Sequence, residues 1–290
     1  MVGYQQPLRA SAAYAGDDYV QDYMRDGYAV VRNVFNRSEI EGIGAAADQV
    51  HAEAIRHGRS FRHGNLFYNV ASEAEGGPLV RMAQWPSYHQ AMLNSVRLDR
   101  RIAALLEPLI GRDLKQIINQ IHWKAPGPSS EFAWHQDSRF RLPAPAFRNL
   151  ASSYVQTGLA IDAHRPVSGC LRFIPGSHLR GALALDCSER VLGSAMKEKA
   201  LESVGLSCAV AVDLLLDPGD LALWSPYLVH ASGENRARHQ RRFYINGYVR
   251  ARDCDRGEWA FRGGRPVPFG AEPALVHYEE LRERSGPHYV

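Results

Sequence analysis

The sequence predicts a mainly β protein of the α+β class, a jelly roll with N-terminal helices packed on its outside. From about residue 113 onward, short apolar runs alternate with turn signals, and no regular helices lie between them. The turns are marked by Gly and Pro at residues 126–128, 175–177 and 217–220. With 290 residues, 45% of them hydrophobic, the chain suits one large domain with a substantial core.

The part before residue 113 is expected to be mainly helical. Residues 1–17 are predicted to be a loose N-terminal arm, and 18–112 to support the core. Asn36 and Glu39 are typical of a capping box, so a helix is predicted from there to Gly58. Residues 58–84 show no regular pattern and are predicted to be irregular. The other elements expected here are a short helix at 18–24, a strand at 28–31 and helices near 86–95 and 98–110.

The β core is assigned to residues 113–250. Its strands are predicted at residues 114–123, 153–161, 170–174, 208–216, 220–224 and 242–249. Residues 251–290 contain aromatic side chains among Gly and Pro, and are expected to form a C-terminal wrap in extended conformation. The whole chain, 1–290, is assigned to a single domain.

Composition and charge exclude several classes of protein. The net charge is only +3, which does not indicate a nucleic-acid partner, and the basic run at 236–242 lacks interleaved aromatic residues. The four cysteines form no C-x-x-C pair, so neither a disulfide scaffold nor a zinc ribbon is expected. The most apolar stretch, 204–216, is shorter than the roughly 20 residues that a membrane span needs. Without a signal-peptide pattern near Met1, we expect a cytoplasmic protein without a membrane partner.

Three polar positions within the β core indicate metal chemistry. In a strand, residues i and i+2 face the same side, so His135 and Asp137 can offer an imidazole and a carboxylate to one metal ion. A lone H-x-D is usually an ordinary hydrogen-bonded pair, so the pattern depends on a third ligand. His230, supplied by a later strand, completes two histidines and one carboxylate. That set occupies one face of an octahedral Fe(II) and leaves three positions open.

An arginine beyond His230 points to a carboxylate ligand. Arg241 begins the strand that follows, and its guanidinium can bind a dicarboxylate through two hydrogen bonds. Arg242 adjoins it and is the alternative for this role.

The order and spacing of these residues resemble the phytanoyl-CoA dioxygenase (PhyH) family of Fe(II)- and 2-oxoglutarate-dependent oxygenases. The resemblance rests on His135-x-Asp137, His230-x-Ser232, Asn235 and Arg241. It is supported by the Lys-Ala-Pro-Gly sequence at 124–127, the run at 168–178 and the turn at 218–220, and it extends from about residue 19 to about 250. It implies a double-stranded β-helix core of the cupin-like type.

The resemblance also implies a set of residue roles. His135, Asp137 and His230 would bind Fe(II), and Arg241 and Ser232 would hold the distal carboxylate of 2-oxoglutarate. Gln120 is a further candidate contact of this co-substrate. O2 would be the second co-substrate, with succinate and CO2 released. Because a carboxylate is present at Asp137, halogenation is disfavoured.

Substrate contacts are predicted from the neighbours of these residues. His122 and Lys124 share a strand face with Gln120 by the period-two rule. Trp134, Arg139 and Tyr68 are further candidates. Aromatic and arginine residues are frequent at 61–68 and 139–148, which favours a mid-sized apolar substrate with an anionic group. The segment 138–152 is expected to act as a lid.

The sequence therefore predicts a monomeric or homodimeric Fe(II)/2-oxoglutarate dioxygenase. It is expected to hydroxylate a small molecule, in the biosynthesis of a secondary metabolite or modified amino acid. Desaturation, epoxidation, cyclisation and epimerisation stay open. One alternative is a cupin-type metal enzyme that does not use 2-oxoglutarate, against which Arg241 and Ser232 argue. The other is a non-catalytic binding protein of the same fold, against which the complete metal triad argues.

Overall fold

The computed structural model describes residues 18–73, 77–127, 130–185, 197–276 and 284–290. The predicted N-terminal arm, 1–17, lies outside the described residues. The described helices are α1 (Asp18–Asp26), α2 (Arg37–His57), α3 (Ala91–Arg97), α4 (Arg100–Ile110), α5 (Leu150–Ser153) and α6 (Glu198–Glu202).

The described strands run from one end of this range to the other. Those before residue 130 are β1 (Tyr28–Val31), β2 (Phe61–His63), β3 (Leu66–Glu73), β4 (Gly77–Gln84) and β5 (Leu114–Lys124). Those after it are β6 (Phe132–His135), β7 (Tyr154–Ala160), β8 (Leu171–Phe173), β9 (Val212–Asp213), β10 (Leu221–Trp224), β11 (His230–Ser232), β12 (Arg241–Arg250), β13 (Glu258–Arg262), β14 (Arg265–Pro266) and β15 (His288–Tyr289).

The strands form two antiparallel sheets. The larger has the order β1-β10-β7-β12-β5-β4-β3-β2-β15, with β13 also paired to β5 and β14 to β13. The smaller has the order β6-β11-β8-β9. Several neighbours are far apart in sequence, as in a jelly roll, for example β1 and β10, β7 and β12, and β6 and β11. Residues of both sheets line one cavity. The predicted fold class, a jelly roll with helices outside it, is confirmed.

The two ends and the buried face of helix α2 follow from its sequence. The Asn36 side chain accepts a hydrogen bond from the Glu39 N–H at 3.0 Å, and the Glu39 carboxylate accepts one from the Asn36 N–H at 2.7 Å. Gly58 ends the helix in the left-handed conformation, with φ of 66°. Ile40 and Ile43 are buried on the face toward the core. The capping box and the helix end are therefore where the sequence predicts them.

Two stretches differ from the sequence prediction. Residues 58–84, predicted to be irregular, form β2, β3 and β4, which extend the larger sheet. Their alternation is broken by a β-bulge between β3 and β4, which hides the period of two in the sequence. The predicted strand at 208–216 is mostly wrong. Only β9 forms a strand there, and Leu216 adds an isolated bridge with His164. Residues 208–210 form a 3-10 turn, and Val210 and Leu215 are exposed.

No helix among the described residues is both long and apolar enough to cross a lipid bilayer. The longest, α2, carries charged side chains on its exposed face.

The turn at 217–220 joins β10 to the segment between β1 and α2. Asp220 accepts hydrogen bonds from the N–H groups of Asp217 at 2.8 Å and Asn33 at 2.9 Å. Gly219 has a φ of +96°, and its carbonyl accepts the Phe35 N–H at 3.1 Å. A Cβ on Gly219 would lie 2.1 Å from the Phe35 carbonyl oxygen. The glycine is thus required both by its backbone conformation and by the close approach of Phe35.

Gly219→Ala is expected to lower the free energy of unfolding by about 3–5 kcal/mol, because the backbone strain adds to the clash with Phe35. Chemical denaturation measures this. Gly64→Ala is the matched control, since Gly64 also has a positive φ, of 55°, but open space around it. The control should lose about 1–2 kcal/mol. Equal losses in the two variants would show that the Phe35 contact is unimportant.

Candidate metal centre and cavity

Two histidines meet across neighbouring strands of the smaller sheet. His135 on β6 and His230 on β11 are direct partners in the antiparallel register. Side chains at such positions stand next to each other on the same face. Their ring centroids are 4.1 Å apart, and both side chains are buried.

The ring orientation of both histidines is set by backbone carbonyls. The Nδ1 atom of His135 lies 2.7 Å from the Ala133 oxygen, and that of His230 lies 2.9 Å from the Leu228 oxygen. Because a carbonyl only accepts, each Nδ1 carries the proton and donates it. Each Nε2 is then free to act as a ligand, and each lies 3.9 Å from a carboxylate oxygen of Asp137.

Asp137 joins the two histidines from the turn that follows β6. The sequence predicted it within a strand, but β6 ends at His135 and Asp137 begins a 3-10 turn. Trp224, on β10 of the larger sheet, donates its indole N–H to Asp137 at 2.9 Å. Ligand atoms of Asp137 and the two histidines all lie within 4.8 Å of one another. The turn thus brings the carboxylate to the imidazole pair, as the sequence proposed.

The protonation states suit metal binding. Burial, together with the neighbouring His230, lowers the pKa of His135 to about 3, so its imidazole is neutral. Burial alone would raise the pKa of Asp137. The nearby His230, His135 and Arg141 and the hydrogen bond from Trp224 together outweigh it and hold that pKa below its usual value. Neutral imidazoles and an ionised carboxylate are the forms that bind a divalent metal ion.

His135, Asp137 and His230, together called the metal group, lie at the wall of a cavity of about 780 Å³ between the two sheets. Six of its lining residues are register partners on β5 and β12: Gln120 with Ile245, His122 with Phe243, and Lys124 with Arg241. The predicted common face of Gln120, His122 and Lys124 is therefore confirmed. Burial, followed by the charge of Arg241, lowers the pKa of His122 to about 4.

Lys124 and Ser232 lie together near the end of the cavity. The Lys124 amino group donates to the Ser232 hydroxyl at 2.8 Å and to the Gly233 carbonyl. Burial, followed by the charge of Arg241, lowers the pKa of Lys124 to about 6. Asn235 donates to the Lys124 carbonyl at 2.7 Å and thereby ties the loop after β11 to the end of β5.

Arg241 faces the same end of the cavity and has an unexpected partner. Its guanidinium donates to Nδ1 of His164 at 2.7 Å, and both side chains are buried. Burial, followed by the charge of Arg241, keeps the pKa of His164 well below its ordinary value. The ring is therefore neutral and can accept this hydrogen bond. The Nε atom of Arg241 is buried and has no hydrogen-bond partner among the described residues.

The alternative arginine lies elsewhere. Arg242 forms ion pairs with Asp162 at 2.8 Å and with Asp48 at 2.9 Å, and it does not line the cavity. His164 had no signal in the sequence, because it reaches Arg241 through an isolated bridge with Leu216 rather than through a predicted strand.

Three predicted substrate residues lie away from this cavity. Trp134 is buried in a separate apolar cluster with Ile174 and Val229. Tyr68 is buried in the main core. Arg139 lines a neighbouring cavity of about 680 Å³. The lining instead includes Arg81 and Arg141, and only Arg141 lies in a segment, 139–148, that the sequence predicts near the substrate.

Comparison with known proteins gives one family and a set of remote relatives. The profile of the phytanoyl-CoA dioxygenase family matches residues 23–243. "Dioxygenase lolE1" of Epichloe uncinata is 26% identical over 161 residues, which cover 56% of each chain. The "2-aminoethylphosphonate dioxygenase" of an uncultured bacterium is 25% identical over 188 residues, covering 63% of this chain and 64% of the relative. The matched part therefore spans less than two thirds of either relative.

Solved structures share the fold. The epimerase SnoN, solved in complex with Fe3+, alpha-ketoglutarate and nogalamycin RO, superposes with a TM-score of 0.60. It is 23% identical, and the superposition covers 89% of this chain and 92% of SnoN.

The lowered pKa of Lys124 predicts a specific pH dependence of stability. Between about pH 6 and pH 10.5, the unfolded chain binds a proton at Lys124 that the folded chain does not, so the free energy of unfolding rises with pH in this window. Lys124→Met removes this contribution. The variant should therefore be most stabilised relative to wild type near pH 6, and the difference should shrink toward pH 10.5.

Denaturant unfolding across this pH range measures the effect. Lys115→Met is the control, because Lys115 lies on the same strand but is only partly buried and donates to the Cys254 carbonyl. Parallel pH profiles for wild type and Lys124→Met would contradict the prediction.

Proposed function

The chain belongs to the phytanoyl-CoA dioxygenase family, and we propose that it is an Fe(II)- and 2-oxoglutarate-dependent dioxygenase that hydroxylates a C–H bond of a small molecule. His135, Asp137 and His230 would hold the iron. Arg241 and Ser232 would bind the distal carboxylate of 2-oxoglutarate, with Gln120 and Lys124 beside it.

The convergence of two imidazoles and one ionised carboxylate carries this proposal. Their ligand atoms are within 4.8 Å of one another, and each Nε2 is left free by a backbone hydrogen bond at Nδ1. This donor set fits Fe(II) and leaves coordination positions for a chelating co-substrate and O2. The Nε atom of Arg241 is buried and has no partner among the described residues, so it fits a carboxylate, which would supply the missing acceptor.

When bound, iron and 2-oxoglutarate supply the oxidising power for C–H cleavage, with succinate and CO2 as products. The protein's residues orient the metal ligands and shield the reacting groups from water. The Ala133 and Leu228 carbonyls fix the imidazoles, and Trp224 holds Asp137 in place. Phe132 and Phe243 contribute apolar walls, which exclude water from the reacting groups.

Hydroxylation is proposed over epimerisation for a chemical reason. Hydroxylation requires the protein only to hold the C–H bond beside the metal group. Epimerisation also requires a hydrogen donor on the other side of the carbon. The described lining residues of the cavity include apolar, amide and basic side chains, such as Phe132, Gln156 and Arg141, but no tyrosine or cysteine that could donate a hydrogen atom. Product analysis distinguishes the two, since only hydroxylation adds an oxygen atom from O2 to the substrate.

The cofactor assignment predicts a stepwise optical response. Anaerobic addition of Fe(II) and then 2-oxoglutarate to the full chain should produce a weak visible absorption band that requires both. His135→Ala should lose the band. Arg241→Ala should need about 10- to 100-fold more 2-oxoglutarate, because one charge-assisted contact is lost. Arg242→Ala is the matched control, since its charge pairs with Asp162 outside the cavity.

Two other results would favour the alternatives. Iron binding without any band would contradict the co-substrate assignment and favour a cupin-type enzyme that does not use 2-oxoglutarate. Failure of the folded protein to bind iron would favour a non-catalytic binding protein.

His164 is expected to act as a positioning residue for Arg241. In His164→Leu the guanidinium loses its 2.7 Å acceptor, so the concentration of 2-oxoglutarate at half-saturation should rise about tenfold while kcat at saturation changes little. His164→Gln keeps an acceptor and should recover most of the affinity. A purely structural role would instead lower kcat and the unfolding temperature together in both variants.

A further inference from the structure

Basic side chains dominate the charged lining of the cavity. Arg81, Lys124, Arg141 and Arg241 line it, whereas Asp137 is the one carboxylate among the described lining residues. The charge excess is concentrated in three guanidinium groups, because burial lowers the pKa of Lys124 to about 6. Near neutral pH, Lys124 is therefore mostly uncharged.

The proposed cofactors compensate only part of this excess. The charges of a divalent metal ion, Asp137, Arg241 and the dianion 2-oxoglutarate balance one another. The positive charges of Arg81 and Arg141 are not compensated by these groups. Neither forms an ion pair within the part of the chain that the structure describes, in contrast to Arg148 and Arg242, which pair with carboxylates.

Arg141 is a buried cation that forms no ion pair among the described residues, although its charge acts on the nearby Asp137. It follows the 3-10 turn that carries Asp137, is only 7% exposed and lines the cavity. Its guanidinium carbon lies 5.1 Å from the centre of the Tyr154 ring. Its Nε atom is buried and has no hydrogen-bond partner among the described residues. Burying an unpaired charge is costly, so the arrangement fits a ligand that supplies the missing anion.

Arg81 reaches the same cavity through the β-bulge. Asn69 pairs with Met82 and Val70 pairs with Val80, so Arg81 on β4 has no partner on β3. The extra residue changes the alternation. Arg81 and Met82, although consecutive, both line the cavity, while Val80 stays in the core. The Arg81 Nε atom is also buried and without a partner in the described residues.

We propose that the primary substrate is an anionic small molecule, held by Arg141 beside the metal group and by Arg81 on the side of the cavity formed by β3 and β4. Carboxylate, phosphonate and phosphate groups all supply the acceptor oxygens that the two Nε atoms lack. The inference rests on the proposed function only in calling the bound anion a substrate. The anion site itself follows from the cavity.

Binding without turnover tests the proposal. The full chain is loaded with Mn(II) in place of iron and with 2-oxoglutarate, so that Arg241 is occupied, and ligands are titrated by calorimetry. Two anionic probes are each paired with an uncharged analogue: 4-phenylbutyrate with 4-phenylbutyramide, and benzylphosphonate with its diethyl ester. We expect at least one anion to bind about tenfold or more tightly than its analogue. The two pairs also show whether carboxylates or phosphonates are preferred.

Two variants locate the site. Arg141→Met and Arg81→Met should each weaken binding of the preferred anion about 10- to 100-fold. Arg148→Met is the matched control and should leave binding unchanged, because Arg148 pairs with Asp255 away from this cavity. The proposal is overturned if the uncharged analogues bind as tightly as the anions, if neither anion binds, or if both arginine variants bind the anion like wild type.

Thermal unfolding of the unliganded chain separates ligand binding from a structural role. Arg141→Met removes an unpaired buried charge, so its unfolding midpoint should equal or exceed that of wild type. A lower midpoint together with unchanged anion binding would assign Arg141 a structural role instead.

Repeating the titrations without Mn(II) and 2-oxoglutarate separates this proposal from the proposed function. Anion binding that depends on Arg141, in a protein that gives no iron and 2-oxoglutarate band, would leave the anion site standing and overturn only the oxygenase assignment. A normal band in a protein that does not distinguish anions from their analogues would overturn only the anion site.

Discussion

The pairing of β6 with β11 is the constraint on which the site depends. It places His135 opposite His230, and each ring is then fixed by a carbonyl of its own chain segment. Asp137 arrives from the following turn and is held by Trp224, which belongs to the other sheet. The metal group therefore joins the two sheets, so the distance between them and the geometry of the ligands are set together. A shift of one sheet would move the carboxylate relative to both imidazoles.

The second constraint is electrostatic. The cavity holds guanidinium groups with buried Nε atoms that lack partners, at Arg81, Arg141 and Arg241, within a fold whose exposed arginines are widely paired with carboxylates. His164 remains neutral beside Arg241, so it orients the guanidinium without cancelling its charge. Burying polar groups without partners lowers the stability of a protein and is tolerated where ligand binding offsets the loss. Here such groups are concentrated in one cavity.

The parts of the site that the sequence predicted are those that follow a local period. The capping box at Asn36 and the common face of Gln120, His122 and Lys124 follow from helix or strand spacing. The approach of His135 to His230, which are distant in sequence, was expected from the order of motifs shared with the family. The parts it missed depend on breaks in that spacing. Asp137 lies in a turn after its strand, and the strands within 58–84 are hidden by the bulge at Arg81. His164 acts through a contact between segments distant in sequence, which no local pattern records.

The two arginines at the start of β12 show how strand alternation separates the side chains of adjacent residues. Arg241 and Arg242 are adjacent and chemically identical, yet alternation sends one into the cavity and the other to Asp162 outside it. Arg81 faces the cavity whereas Ala83, two residues later, stays in the core; a regular strand would put both on one face, and the bulge separates them. Four residues assigned to iron and 2-oxoglutarate lie on strands, namely His135, His230, Ser232 and Arg241, and Asp137 lies in the turn after β6. Arg81, assigned to the substrate, lies at a bulge on a different strand, where an insertion or deletion can change recognition without disturbing the metal ligands.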